Sequence, residues 1–202
     1  MIVLDCETSG LDPARCAILS IGAIDFLQPD RQFYVEVQAP EGCCIEPTAL
    51  AINGFTREEI FSEVRLPLYL ALRDLSAWVR LCRHKNLAGS NVAFDAGFLR
   101  AAARSIYMPY PFGRMSIDLM SLWYVHRLTT YGELLPSGQV WVKTDEILRY
   151  VGLPAEPHPH NALVGAKGEA EAFSRLIYGR GLLPEYEEHR VPEYLRTREV
   201  AR

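Results

Sequence analysis

The sequence lacks several patterns that would place a protein in a special class. Its five cysteines form no Cys-x-x-Cys pair and their number is odd, so neither a zinc site nor a disulfide framework is indicated. No apolar run approaches the roughly 18 residues of a membrane span, and no secretory signal peptide precedes the first apolar segment. Internal repeats and low-complexity segments are also missing. These absences predict a cytoplasmic protein.

An excess of positive charge is missing as well. The 202 residues carry a formal charge of −4, which argues against a broad nucleic-acid-binding surface but is compatible with a compact acidic site where metal ions meet phosphate. Basic residues become more frequent only near the C-terminus, where we predict a solvated tail. With 49% hydrophobic residues, the chain is long enough for one domain with a substantial core.

The chain opens on an apolar run that ends in acids. Met1–Leu4 predicts a buried strand, and Asp5 and Glu7 follow it. Residues i and i+2 of a strand point to the same face, so we expect both carboxylates in one small volume. Two acids held so close repel each other unless a cation lies between them, and oxygen ligands suit Mg²⁺ or Mn²⁺. Asp-x-Glu alone is equally consistent with two solvated acids in a polar turn.

The remaining segments predict a mixed order of strands and helices. Strands are predicted over 17–26, 31–37, 86–90 and near Ile117. Helices are predicted over 47–53, from Thr56, and over 68–82, 94–102, 118–127, 144–150 and 162–177, with a loop over 131–142. An antiparallel opening meander followed by strands that alternate with helices indicates an α/β fold, with a mixed sheet and helices on both faces. We expect one domain over 1–180 and a tail or extension over 181–202.

Two further segments carry possible chemistry. Asn91-Val-Ala-Phe-Asp95 directly follows the fourth predicted strand, and His160-Asn-Ala162 opens the last predicted helix. Each has an ordinary alternative, since Asp95 suits a helix start and His160 suits an exposed linker. The preceding Glu156-Pro-His-Pro run predicts a rigid linker, because each proline fixes its own φ.

Taken together, the segments resemble the DEDDh group of the DnaQ-like 3′→5′ exonucleases. That family carries Asp-x-Glu-Thr/Ser, then Asn-x-x-Phe-Asp, then His-x-Ala-x-x-Asp. Asp5-Cys-Glu7-Thr8, Asn91-Val-Ala-Phe94-Asp95 and His160-Asn-Ala162 match in that order. Residues 51–56 also resemble the family's Ile-His-Gly-Ile-Thr segment, with Asn53 where histidine is common. The likeness spans nearly the whole chain, and it implies a ribonuclease-H-like fold.

The resemblance implies hydrolysis of phosphodiester bonds with two Mg²⁺ or Mn²⁺ ions, releasing 5′-mononucleotides. Asp5 would then hold both ions, Glu7 the ion beside the attacking water, and Asp95 the other ion. His160 would be the general base, since neutral imidazole removes a proton near neutral pH.

The resemblance also implies a partner, the single-stranded 3′ end of DNA or RNA. Thr8 and Asn91 would contact the end through polar groups, and Leu11, Ile52 and Phe55 would pack on the last bases. Ordinary core or turn packing stays open for these three apolar residues. A polymerase or a second copy of the chain stays open as a protein partner, and no membrane partner is implied.

One position departs from the family pattern. The family's fourth carboxylate lies five residues after the histidine, where this chain has Gly165. Three acids then face the four positive charges of two ions, so the sequence predicts that one ion binds weakly or not at all and that activity is impaired. Glu169 lies one turn further along the same helix face and is a candidate substitute. On this argument, Gly165→Asp is expected to raise Mg²⁺-dependent activity by about tenfold or more.

Two other functions stay open. A catalytically inactive member of the fold would bind nucleic acid but release no nucleotides with metal. An aspartyl phosphatase would use Asp5 as its nucleophile, but that class resembles Asp-x-Asp-x-Thr, and here Glu7 takes the place of the second acid.

Overall fold

A five-stranded mixed sheet forms the centre of the protein. The structure, a computed structural model, describes residues 1–132 and 142–196. The strands are β1 (Ile2–Thr8), β2 (Ile18–Asp25), β3 (Gln32–Glu36), β4 (Leu87–Gly89) and β5 (Ser116–Asp118). Their order across the sheet is β3-β2-β1-β4-β5. The first three strands pair antiparallel, and β1, β4 and β5 pair parallel, which confirms the predicted meander and mixed sheet.

Helices cover both faces of this sheet, as predicted. They are α1 (Pro47–Asn53), α2 (Arg57–Ile60), α3 (Leu68–Leu81), α4 (Val92–Ser105), α5 (Leu119–Tyr131), α6 (Thr144–Tyr150), α7 (Ala162–Tyr178) and α8 (Glu193–Arg196). A short 3-10 helix lies at Pro184–Tyr186. Among the described residues, none of the helices has the length and hydropathy needed to span a membrane.

The alternation of β1 divides the core into two layers. Ile2, Leu4 and Cys6 belong to a cluster formed with α3 and α4, whereas Val3 belongs to a cluster formed with α5, α6 and α7. Because strand residues two apart share a face, Asp5 and Glu7 follow Val3 onto the α7 side. The sequence pattern therefore places both acids between the sheet and α7.

β1 extends four residues beyond its predicted end. Its pairing with β2 continues past the apolar run, with Asp5 opposite Gly22 and Glu7 opposite Ser20. Backbone hydrogen bonds do not depend on side-chain polarity, so the acids lie within the strand rather than in a turn after it. Helix α5 also exceeds its prediction, ending at Tyr131 before Gly132. Of the predicted 131–142 loop, residues 133–141 lie outside the described part of the chain.

The start of α7 lies directly on β2. A Cβ at Gly22 would lie 2.2 Å from the backbone of Ala162 and Leu163, so only glycine permits this approach. Asn161 caps the helix, because its side chain accepts hydrogen bonds from the N–H groups of Leu163 and Val164. The sequence just before α7 is thereby held at a fixed distance from the sheet.

The other end of α7 is tied to the residues that follow it. Arg175 and Glu171 form a buried ion pair of 2.7 Å, and Glu171 also accepts hydrogen bonds from the N–H groups of Leu182 and Leu183. The Arg175 guanidinium donates to the carbonyls of Val151, Gly152, Tyr186 and His189. Residues 181–196, which we predicted as a tail or extension, therefore pack against the domain. Residues 197–202 lie outside the described part.

Candidate active site

The predicted catalytic residues line one cavity of about 660 Å³ at the C-terminal ends of β1 and β4. We call it the acidic cavity. Asp5 and Glu7 come from β1, Asp95 from the first turn of α4, and His160 from the linker before α7. Ligand sites in sheets with parallel strands commonly lie at this edge. The structure thus brings together all four residues, although they are separated by up to 155 positions in the chain.

Asp95 is fixed against β1 by its own carboxylate. The backbone N–H of Cys6 donates to Asp95 Oδ1 over 3.0 Å, which places this carboxylate beside Asp5. Asn91, with a left-handed φ of 51°, turns the chain into α4. Asp118 then holds that helix start, because its Oδ2 accepts from the N–H of Val92. The sequence predicts Asp118 only as the start of a helix and contains no signal for this contact across the sheet edge.

His160 is held from two sides. Its backbone N–H donates to the carbonyl of Ile52 at 2.9 Å, and the next residue caps α7. The imidazole Nδ1 lies 3.5 Å from Oε2 of Glu156, which favours a proton on Nδ1 and leaves Nε2 as the basic nitrogen. Burial, and to a smaller extent the neighbouring His158, lower the pKa of His160 below its ordinary value of 6.5.

Gly165 faces the acids directly. A Cβ at this position would lie 2.3 Å from Asp5 Oδ2 and 3.3 Å from Glu156 Oε1. Since real Cβ atoms essentially never approach another atom closer than 3.0 Å, the Asp5 carboxylate occupies the space that a side chain at 165 would need. The glycine therefore shapes the site as well as omitting a carboxylate.

Four further carboxylates line the acidic cavity, those of Glu46, Asp145, Glu156 and Glu169. Glu156 comes from the linker and Glu169 from α7, and each has one buried carboxylate oxygen without a hydrogen-bond partner among the described residues. We had interpreted Glu156 only as part of a rigid linker. Its one sequence signal is its spacing of four residues from His160, and folding was needed to show that it turns inwards.

Burial and, to a smaller extent, mutual repulsion raise the pKa values of the acids, which favours their protonated form when no metal is bound. Burial raises the pKa of Asp5 to about 6, and burial followed by the Asp5 charge raises the pKa of Glu7 and that of Glu156 to about 8. The pKa values of Asp95 and Glu169 rise well above their ordinary range for the same two reasons. The basic side chains on the described cavity wall are Lys143, His158 and His160. Five carboxylates with so few cations form a donor set that fits divalent metal ions.

Without divalent metal, stability should fall as the pH rises. Asp5 and Glu7 have ordinary pKa values of 3.8 and 4.5 and folded values of about 6 and about 8, so the folded state binds more protons between these values. Their contribution is fully present below about pH 4 and is lost as the pH rises to about 8. We expect Tm in EDTA to fall on the order of 5–10 °C between about pH 5 and 8, as measured by circular dichroism.

Adding Mn²⁺ at the upper pH should restore this Tm, because the ions compensate the ionised carboxylates. Asp5→Asn should flatten the pH dependence in EDTA by removing one of the titrating groups. A Tm in EDTA that rises over the same range would contradict the electrostatic account.

The predicted substrate residues divide into two groups. Thr8, Leu11, Ile52 and Asn91 line the acidic cavity, and Leu11 is 73% exposed. Phe55 is not among the described residues on that wall. It packs with Leu19 and Ile60 in a small cluster, and its ring centroid lies 4.1 Å from the Arg65 guanidinium carbon. Phe55 therefore has the ordinary packing position that the sequence left open, and it does not lie on the cavity wall with the other predicted substrate residues.

The exonuclease family model RNase_T matches residues 2–173. Ribonuclease T of Haemophilus influenzae is 28% identical over 121 residues, covering 50% of each chain. Ribonuclease T of Pectobacterium atrosepticum is 30% identical over 115 residues, covering 50% of this chain and 51% of the other. The chain spans about half the length of the curated relatives it matches.

Solved structures share the fold. The nuclease domain of 3′hExo, a DEDDh family member bound to rAMP, superposes with a TM-score of 0.67 at 17% identity and covers 95% of both chains. Exonuclease I of E. coli in complex with an oligonucleotide gives a TM-score of 0.60 at 21% identity, covering 87% of this chain and 39% of that one. The predicted ribonuclease-H-like fold of the DEDDh nucleases is confirmed.

Proposed function

The chain belongs to the exonuclease family whose model spans residues 2–173, and we propose that it is a metal-dependent 3′→5′ exonuclease releasing 5′-mononucleotides from DNA or RNA. The observation that carries this proposal is the convergence of Asp5, Glu7, Asp95 and His160 on one cavity. A free 3′ end, rather than a long duplex, suits such a compact acidic site on a chain of net negative charge.

Divalent metal fits the residues present. Asp5, Glu7 and Asp95 offer hard oxygen ligands to Mg²⁺ or Mn²⁺, and the cavity wall otherwise concentrates uncompensated negative charge. When bound, two ions would neutralise charge at the phosphate and make a water molecule more acidic.

The protein's own groups would complete the reaction. His160 would accept the proton of the attacking water at Nε2, while Nδ1 faces Glu156. The lowered pKa of His160 keeps the imidazole neutral, and therefore basic, at physiological pH. Asp95 would keep its position through the Cys6 N–H, so the scissile phosphate would meet a preorganised set of carboxylates.

The opposite wall of the acidic cavity would hold the last nucleotides. Leu11 and Ile52 are both exposed beside Thr8, and apolar side chains that stack on bases tolerate any sequence. Asn53 supports this wall, since its side chain donates to the Thr8 carbonyl at 3.1 Å and ties α1 to β1. Related solved structures hold rAMP and an oligonucleotide, which supports a nucleic-acid end as the substrate.

Leu11→Ala should weaken binding of the 3′ end without unfolding the protein. An exposed side chain contributes little to folding, whereas a stacked base is worth about 1–3 kcal/mol. We therefore expect KM for a single-stranded oligonucleotide to rise about fivefold or more and Tm to stay unchanged. The matched control is Leu81→Ala, because Leu81 is 67% exposed at the end of α3. If Tm falls and KM does not change, Leu11 has a packing role instead.

Nucleotide release tests the proposed function directly. The full chain is incubated with 3′-labelled single-stranded DNA and with RNA of the same sequence, in Mn²⁺, in Mg²⁺ and in EDTA. Metal-dependent release of labelled 5′-mononucleotides supports the proposal, and the faster strand identifies the substrate class. Binding without release would instead indicate a catalytically inactive binding member, which is the alternative that Gly165 favours. Asp5→Asn serves as the inactive reference.

A further inference from the structure

The acidic cavity lacks a carboxylate at position 165, but Glu156 and Glu169 on its wall are acids that the family motifs do not include. Each has one buried carboxylate oxygen that makes no hydrogen bond within the described residues. A buried, unpartnered carboxylate oxygen is costly unless a ligand satisfies it. These two oxygens therefore need an explanation.

Glu156 lies next to position 165, since its Oε1 is 3.3 Å from the Cβ position of that residue. Single ligand atoms of Glu156, Glu7 and His160 all lie within 4.8 Å of one another. The Glu156 side chain is only 12% exposed. Glu156 is thus placed beside Glu7 and next to position 165, where the family carries its fourth carboxylate.

Glu169 lies on the part of the cavity wall next to the end of β4. It is 6% exposed and begins one helical turn after Gly165, so its longer side chain must span the pitch of about 5.4 Å. Gly89, at the end of β4, provides the room, since a Cβ there would lie 3.4 Å from Glu169 Oε2. The same Cβ position lies 3.0 Å from the carbonyl oxygen of Leu4, so the Glu169 carboxylate lies beside the part of β1 that carries Asp5.

We propose that Glu156 and Glu169 together replace the carboxylate missing at 165, so that this chain binds two divalent ions with five carboxylates. Glu156 serves the ion beside Glu7, and Glu169 serves the ion beside Asp95. The centre then carries five negative charges instead of three against the four positive charges of two ions. This inference rests on the proposed metal-dependent function.

Metal binding provides a test that needs no nuclease assay. The full chain is titrated with Mn²⁺ by calorimetry, and free Mn²⁺ is counted in parallel by electron paramagnetic resonance. The unsubstituted protein should bind two ions. Glu156→Gln and Glu169→Gln should each raise the Kd of one ion about tenfold or more, equivalent to about 1.4 kcal/mol. Both variants should fold, because an amide keeps the shape of the buried carboxyl and removes its charge.

Glu46→Gln is the matched control. Glu46 lines the same cavity, and its Oε1 accepts the Leu11 N–H, a bond that an amide oxygen can keep. It therefore removes one charge from the wall without removing a proposed ligand, and both Kd values should stay within about twofold.

Binding of a single ion by the unsubstituted protein would overturn the inference, and so would unchanged Mn²⁺ affinity in either glutamine variant. Two-ion binding that depends on both glutamates, in a protein that releases no nucleotides, would keep the inference and reject the proposed exonuclease. Metal-dependent nucleotide release that is indifferent to both substitutions would keep the exonuclease and reject the inference.

Discussion

His160→Ala is expected to lower kcat by about two to four orders of magnitude at neutral pH, the usual contribution of a general base. The imidazole stands at the rim of the acidic cavity with Nε2 free to accept a proton, because Nδ1 faces Glu156. The measurement is the single-turnover rate of nucleotide release. Saturating Mn²⁺ is used so that a change in metal affinity does not alter this rate.

The pH dependence of the same rate provides a second readout. A general base must be neutral, so the rate of the unsubstituted enzyme should rise with pH and level off as His160 loses its proton. Since the pKa of His160 is lowered from 6.5, this rise should be complete below the pH expected for a solvent-exposed histidine.

His158→Ala is the control for the general-base assignment, because the two rings lie 4.6 Å apart and His158 is assigned no chemical step. Its rate should stay within a few-fold of the unsubstituted enzyme. Equal rates in His160→Ala and the unsubstituted enzyme would remove the general-base assignment.

Gly165→Ala and Gly165→Asp are both expected to lower kcat/KM, by about 100-fold. Any Cβ at this position would lie 2.3 Å from Asp5 Oδ2, so the Asp5 carboxylate, a proposed metal ligand, would have to move. Misplacing a reacting group by about 1 Å can cost about 100-fold in rate. The missing charge considered alone predicts the opposite for Gly165→Asp, a gain in activity of about tenfold or more. The collision with Asp5 is the physical reason for reversing that expectation.

Gly168→Ala is the matched control on the same helix. A Cβ there meets only ordinary contacts, the nearest being Tyr186 Oη at 3.6 Å, and alanine is favoured over glycine inside a helix by about 1 kcal/mol. This variant should therefore retain activity and gain Tm. A Gly165→Asp enzyme that is faster than the unsubstituted one would show that the Asp5 carboxylate can move without loss of activity. Activity would then be limited by the carboxylate missing at position 165.

Local patterns were sufficient to predict most of the fold. The apolar run before Asp5, the spacing of leucines in α3 and the capping box at Thr56 each depend on a few neighbouring residues, and each element appears in the structure. The end of β1 was placed too early because strand length depends on what β2 offers for pairing, and no local pattern contains that information.

The site was only partly predictable for the same reason. Asp5, Glu7, Asp95 and His160 follow from ordered motifs, whereas the inward turn of Glu156 depends on how the linker folds over Gly165. Phe55 was assigned to the substrate because of its place in a motif, but packing against Ile60 and Arg65 determines where its ring lies. The metal-ligand roles of these acids stay predictions until the titrations are done.

The contacts of the Glu171–Arg175 ion pair indicate that the folded domain extends beyond residue 180. The family match ends at residue 173, and a boundary at 180 looks natural from the sequence. A chain cut there would leave Glu171 without the two N–H groups of Leu182 and Leu183 and Arg175 without the carbonyls of Tyr186 and His189, both inside the core. The ion pair itself would remain, but its other charged hydrogen-bonding groups would lose their partners, which destabilises a buried ion pair. Grafting or truncating this module must therefore retain the segment through Arg196, because its carbonyls and N–H groups hold the far end of the helix that carries Gly165 and Glu169.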